Sequence, residues 1–221
     1  MAPTTADQPS GTEARGPRSA HVPTTVGAAC ARIGPNAILR VAEALIDRVG
    51  PMAAQQLFAR SGLMHHLLHP PRAMVDELDV AWLHRQLRTD LDPNLSRDVL
   101  WDAGTRTGDY LLEHRIPRPA QFVLRRLPTP LAARVLAQAI AKHAWTFAGS
   151  GAFRYSPGRP FVLSIRHGPL CGPICASTPT CHYYCATFER IFRALVSRHA
   201  RVTEVACEAA GGDACVFEVA W

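Results

Sequence analysis

Cys181, Glu204, Cys207 and Cys215 are the residues of this chain whose types and spacing best fit a defined chemistry. Glu204 and Cys207 stand in Glu-Val-Ala-Cys, and Cys215 closes the Gly-Gly-Asp-Ala-Cys that follows. Three thiolates and a carboxylate fill the four positions of a tetrahedral zinc site, and closed four-coordinate sites are structural rather than catalytic. The alternative is that these cysteines are small, buried apolar residues. Four potential ligands in so short a stretch favour the metal. Cys185 lies four residues after Cys181, on the same face of a helix, and is the natural substitute ligand. Cys171 and Cys175 share a loop rich in Pro and Gly. They could form a second, weaker site, but are read as incidental thiols.

The elements that must position these groups follow from periodicity. Ile38, Val41, Ala42, Leu45, Ile46 and Val49 recur at helical spacing after Pro35, and Gly50-Pro51 stops them. A second helix is expected from Met52 to about Ser61. Asp79 is a plausible N-cap for a third, carrying Val80, Leu83 and Leu87. Pro93 to about His114 reads as a long helix, Pro119 to Arg126 as a short one, and Leu131 to Phe147 as a strongly apolar one. The texture changes after Gly149-Ser150-Gly151. Ala152–Tyr155 and Phe161–Arg166 read as strands joined by a Ser-Pro-Gly turn. A helix from about Cys181 to Arg198 and strands Val202–Cys207 and Cys215–Ala220 follow. The fold class is α+β: a helical N-terminal half, 26–148, then a β-β-α-β-β unit, 149–221, with an antiparallel sheet. In this topology Cys181 opens the last helix, and Cys207 and Cys215 bracket a hairpin turn. Residues three apart on an ideal strand face opposite sides, so Glu204 and Cys207 require a bulge or strand end between them.

The chain has 221 residues, 48% of them hydrophobic, enough for one sizeable core. No run approaches the ~18 unbroken apolar residues of a transmembrane helix. Residues 1–25, rich in Pro, Thr, Gly and Ser, carry no apolar signal segment and are expected to form a disordered tail. A cytoplasmic location is therefore expected, where an odd count of 7 cysteines favours metal ligands or buried thiols over disulfides. The net charge of +6 comes almost wholly from arginine, Lys142 being the only lysine. No basic block interleaves with aromatics, which argues against nucleic acid. His65, His66 and His69, beside Pro70-Pro71 in an expected loop, could bind metal, but a polar loop explains them as well.

The C-terminal motifs resemble those of the 4-vinyl-reductase domain family. The matching text is Cys181-His-Tyr-Tyr-Cys-Ala-Thr-Phe-Glu, then Thr203-Glu-Val-Ala-Cys207, then Gly212-Asp-Ala-Cys215-Val-Phe217. The run from Phe188 and the helical half are similar to the bacteriochlorophyll-synthesis branch of that family. The resemblance implies a role in reducing the C8 vinyl group of a divinyl chlorophyll precursor, with bacteriochlorophyll-biosynthesis enzymes as partners. Regulatory relatives in the family are dimeric small-molecule sensors, which implies a homodimer here and a structural Zn2+ on Cys181, Glu204, Cys207 and Cys215.

The residues themselves support binding a flat tetrapyrrole better than transforming one. Vinyl reduction needs an electron source held at a cofactor site. Gly149-Ser-Gly151 lacks the third glycine and the βαβ context of a dinucleotide fingerprint. A carboxylate in the ligand set argues against an iron–sulfur cluster. The catalytic residues and the reductant are therefore left unassigned. For a magnesium tetrapyrrole intermediate, candidate contacts are the aromatics Trp101, Trp145 and Tyr184, with His143 as axial ligand. Tyr110, Phe147 and Tyr183 are further aromatic candidates, His114 and His182 alternative axial ligands, and Arg125 and Arg126 could pair with pigment propionates. Three functions remain open: presenting the pigment for reduction, carrying it between pathway enzymes, and sensing a small molecule.

Overall fold

Prolines mark where the helices of this protein begin. The computed structural model describes residues 31–171 and 175–221; the tail expected to be disordered lies outside them. α1 (Asn36–Val49) follows Pro35, and α2 (Pro51–Arg60) and α5 (Pro93–His114) each start on a proline. α6 (Arg118–Leu124) and α7 (Thr129–Lys142) follow Pro117 and Pro128. The first turn of a helix has no use for the missing N–H, and the fixed φ of proline is already helical. Between them lie α3 (Met64–Leu68) and α4 (Glu77–Asp90). The short α8 (Trp145–Ala148) closes the helical half.

Three local expectations are corrected. α4 is capped by Asp76, whose Oδ1 accepts the Leu78 N–H at 2.8 Å. Asp79 instead accepts a hydrogen bond from His66 Nε2 at 3.0 Å. His65 and His66 sit on α3 rather than in a loop. The expected helix from Leu131 to Phe147 breaks at His143, whose Nδ1 donates to the Ala139 carbonyl at 2.9 Å. A two-stranded ribbon, β1 (Arg32–Ile33) with β2 (Val75–Asp76), was not legible because each strand is two residues long.

The C-terminal part is β3 (Ala152–Ser156), β4 (Phe161–Arg166), α9 (His182–Leu195), β5 (Arg201–Ala206) and β6 (Cys215–Ala220). The four strands form one antiparallel sheet in the order β3-β4-β6-β5, so the fold is α+β as the sequence indicates. Alternation places Phe161, Leu163 and Ile165 of β4 with Cys215, Phe217 and Val219 of β6 on one buried face. α9 lies on that face. Phe188 meets Phe217 edge-on at 5.5 Å between ring centroids, and Tyr184 stacks on Phe188 at 6.1 Å.

α5 packs on α9 from the side away from the sheet, through glycine. A Cβ on Gly104 would overlap the Tyr183 carbonyl and stand 2.8 Å from Ala186 Cβ; one on Gly108 would stand 2.7 Å from Arg190 Cβ. The two glycines lie one turn apart and let the backbones approach. Thr187 Oγ1 then donates to the Gly104 carbonyl at 3.0 Å, and Thr107 Oγ1 meets Tyr183 Oη at 2.8 Å. A single buried cluster runs from Ile38 and Leu45 through Leu100 to Phe192 and Phe217. The helical half thereby fixes the start of α9, where the cysteines gather.

Candidate metal centre

Four cysteine sulfurs meet at one point, delivered by four different pieces of chain. Cys171 ends a short 3-10 turn, Pro169–Cys171. Cys181 is the residue before α9, Cys207 follows β5, and Cys215 is the first residue of β6. All four are buried. The Sγ atoms of Cys207 and Cys215 are 3.8 Å apart, those of Cys181 and Cys215 3.5 Å, and those of Cys181 and Cys207 4.0 Å. Cys171 Sγ lies 2.8 Å from Cys181, 3.1 Å from Cys215 and 3.6 Å from Cys207. These are the six edges of a tetrahedron. A zinc ion with sulfurs at ~2.3 Å would require edges of about 3.8 Å, so the set fits one tetrahedral ion. A multi-iron cluster needs thiolates on separate irons, farther apart than one ion's coordination sphere.

Cys171 is the residue that sequence reasoning set aside. Ten residues of loop separate it from Cys181, so no helical or strand period linked the two. Its partner in that loop, Cys175, is exposed, and Cys185 is buried on α9 outside the tetrahedron. Burial pushes the Cys185 thiol well above its ordinary pKa, as expected for an inert core sulfur.

Glu204 stands beside the four sulfurs. The required irregularity is present: Glu204 pairs with Phe217 and Ala206 with Val216, so Val205 is bulged out of register. Glu204 Oε2 accepts the Cys181 N–H at 2.7 Å, while Oε1 is buried without a hydrogen-bond partner. Burial, then the negative charge of Cys207, raises the carboxyl to about 8. The Cys207 sulfur is the natural thiolate, because the thiols of Cys171, Cys181 and Cys215 donate to it and hold its pKa far down. The same sharing raises Cys181 and Cys215. A metal cation in the centre would replace those shared protons and face the orphaned Glu204 oxygen.

The loops are held from outside the sheet unit. Arg88 on α4 donates from Nη1 to the Leu170 carbonyl at 2.9 Å and from Nη2 to the Thr180 carbonyl at 3.1 Å. These are the residues immediately before Cys171 and Cys181, so one guanidinium fixes both loops. Turn geometry positions the other pair. Gly211 adopts φ 86°, and the Gly212 N–H returns to the Cys207 carbonyl at 2.9 Å. Arg88 carried no signal in the sequence, being one arginine among many on amphipathic helices.

The candidate pigment contacts do not converge. Tyr184 is buried in the α9–sheet core, its hydroxyl donating to the Phe147 carbonyl at 2.8 Å; it is a packing residue and not a surface contact. Trp145 is 59% exposed on α8, and His143 is exposed next to it. Trp101, 37% exposed on α5, lies elsewhere, in a groove of about 490 Å³ against α9 with Thr105, Ala186, Arg190, Arg193 and Arg198. Arg190 reaches Asp109 at 2.6 Å and Arg193 reaches Glu189 at 3.5 Å, leaving Arg198 the guanidinium without a carboxylate there. The groove thus offers an indole and guanidinium groups, which suit a flat anionic molecule. His65, His66 and Asp79 also draw their ligand atoms within 4.8 Å, but His66 already donates to Asp79.

Residues 161–220 match the family model of the 4-vinyl-reductase domain, a span that contains Cys171, Cys181, Cys207, Cys215 and Glu204. Over 188 residues, 85% of this chain and 90% of the relative, the sequence is 47% identical to the bacteriochlorophyll synthase 23 kDa chain of Cereibacter sphaeroides. Over 186 residues, 84% of this chain and 85% of the relative, it is 39% identical to the Rhodobacter capsulatus protein of the same name.

Proposed function

The chain belongs to the family of the bacteriochlorophyll synthase 23 kDa chains, and from that premise we propose that it serves bacteriochlorophyll biosynthesis by binding a magnesium tetrapyrrole intermediate. The step is C8-vinyl reduction of a divinyl precursor, with this protein presenting the pigment and the electrons coming from a separate reductant. What carries the reading is full-length similarity at 47% identity, extending well beyond the C-terminal domain match into the helices that form the Trp101 groove. The groove volume falls within the ~300–1,000 Å³ common for small-molecule sites. Trp101 supplies a stacking face, and Arg193 and Arg198 supply partners for a propionate.

In this reading the four-cysteine cluster holds one structural zinc ion, with Glu204 beside it. A closed tetrahedral zinc has no redox chemistry and no open position for substrate, so it organises the fold and leaves the pigment to the groove. A pathway enzyme is the expected recipient of the pigment, and a homodimer the expected assembly.

The test is a spectral titration of the purified full chain with divinyl protochlorophyllide, with and without NADPH or reduced ferredoxin, followed by mass analysis. A saturable band shift that Trp101→Ala weakens about 10-fold, with pigment mass unchanged, supports presentation of the pigment. A gain of two hydrogens over many turnovers would make the protein itself the reductase. Absence of any band shift would remove the tetrapyrrole from the proposal.

A further inference from the structure

The charge of this chain is distributed by the absence of acids. Between Glu113 and Glu189 lie 75 residues without one Asp or Glu, and they include nine Arg or Lys. The segment carries +9 where the whole chain carries +6. α6, α7 and α8 fall inside it.

These helices also turn large apolar side chains outward. On α6, Gln121 and Leu124 are buried while Phe122 and Val123 face solvent, Phe122 being 57% exposed. On α7, Ala132, Ala133, Leu136 and Ala137 are buried, and Leu131, Arg134, Val135 and Lys142 are exposed. The exposed set recurs at helical spacing, so α7 carries a second, outward stripe opposite its buried one. The Arg126 guanidinium lies over the Phe122 ring at 4.2 Å, and Trp145 follows on α8. Arg118, Arg126, Arg134 and Lys142 make no ion pair among the described residues. Arg125 is committed inward, donating to the Ala194 carbonyl at 3.0 Å.

Exposed apolar side chains interspersed with unpaired cations are the composition of a helix that lies on a membrane surface. We propose that the α6–α8 segment docks this protein on an anionic lipid bilayer. Phe122, Leu131, Val135 and Trp145 enter the headgroup boundary, while Arg118, Arg126, Arg134 and Lys142 meet lipid phosphates. No helix of the described residues is long and apolar enough to cross a bilayer, so the attachment is peripheral. A second copy of the chain is a poor occupant, because a symmetric contact would set one acid-free surface against another. The charge complement required is a dense field of anions, and the exposed Phe and Trp require an apolar layer behind it. An anionic bilayer supplies both. The inference stands independently of the tetrapyrrole reading.

The experiment is co-sedimentation of the full chain with vesicles of phosphatidylcholine alone or mixed with phosphatidylglycerol. Binding to the mixed vesicles, little binding to the neutral ones and loss in high salt are expected. Each cation near the surface contributes about 5-fold in affinity. Arg126→Glu with Arg134→Glu should therefore lower binding at least 25-fold, and Phe122→Ser should lower it at low salt as well. All three side chains are exposed, so thermal melting of these variants is expected to match wild type, which separates lost docking from lost fold. Equal binding to neutral and anionic vesicles, or no vesicle binding, would overturn the proposal. Salt-sensitive binding to polyglutamate without vesicle binding would reassign the surface to an acidic protein. Dimerisation abolished by Val135→Glu, again without vesicle binding, would reassign it to a second copy.

Discussion

Cys171 decides what kind of centre this is. With it, four sulfurs close a tetrahedron and Glu204 stays outside, holding the Cys181 amide; without it, Glu204 is the fourth donor. Cys207→Ser and Cys215→Ser remove a ligand in either arrangement. Each is expected to lower bound zinc from one per chain towards zero and the melting temperature by roughly 10 °C or more. Elemental analysis and calorimetry check this, and an unchanged zinc content with an unchanged melt would sink the metal claim. Cys171→Ser and Glu204→Gln separate the two arrangements. If all four cysteines bind, cobalt-substituted protein loses part of its sulfur-to-metal charge-transfer band in Cys171→Ser and keeps it in Glu204→Gln. The reverse result would make the carboxylate the fourth ligand.

Helix contacts carry two further expectations. Glycine inside an exposed helix costs ~1 kcal/mol relative to alanine, so Gly104→Ala would stabilise α5 in isolation. Packed on α9, the new methyl collides with backbone and with Ala186, and overpacking of that kind costs ~1–3 kcal/mol. The net prediction is destabilisation, read as a lower urea midpoint; a midpoint at or above wild type would mean that α5 and α9 can separate freely. On α4, His84 is fully buried, its Nε2 donating to the Ala37 carbonyl at 3.1 Å. Burial, reinforced by Arg88, lowers its pKa from 6.5 to about 3. The unfolded chain takes up this proton near 6.5 and the folded chain only near 3, so stability is complete above pH 6.5. It falls as the pH drops towards 3, by up to ~4–5 kcal/mol. Urea titrations across this range for wild type and His84→Gln isolate the share due to His84. Identical pH slopes for the two proteins would show that another group controls acid stability. Arg88 links α4 to both cysteine loops, and Arg88→Met is expected to speed zinc loss to a chelator while leaving stoichiometry at one. An unchanged release rate would mean the loops hold themselves.

Across the whole molecule, three surfaces divide the work proposed here. The cysteine centre ties α9 to the far ends of β5 and β6, the Trp101 groove lies between α5 and α9, and the acid-free helices α6–α8 form a separate outward segment. Because α9 contributes to both the centre and the groove, losing metal should also weaken pigment binding. The expected signature is that Cys215→Ser lowers tetrapyrrole affinity even at temperatures where the helices remain folded. Circular dichroism and the pigment titration together check it. Full pigment affinity in a metal-free but folded protein would show the two sites to be uncoupled.

Periodicity and punctuation determined the elements of this protein. The apolar spacing of α1, the proline starts of α5 and α6, and the alternation of β4 and β6 are local properties that any reader of the chain can recover. So is the requirement for a bulge after Glu204, since strand geometry alone demands it. The tertiary structure decided which distant pieces meet. Cys171 joined Cys181, Cys207 and Cys215 because the loop before α9 folds back under Arg88, a contact spanning 82 residues. Tyr184 was assigned to packing because the sheet covers the face of α9 on which it lies, and Trp101 kept its exposure because that part of α5 lies at a groove. A side chain's neighbours along the chain set its local geometry. Whether it becomes a ligand, a packing group or a contact depends on what the fold brings against it.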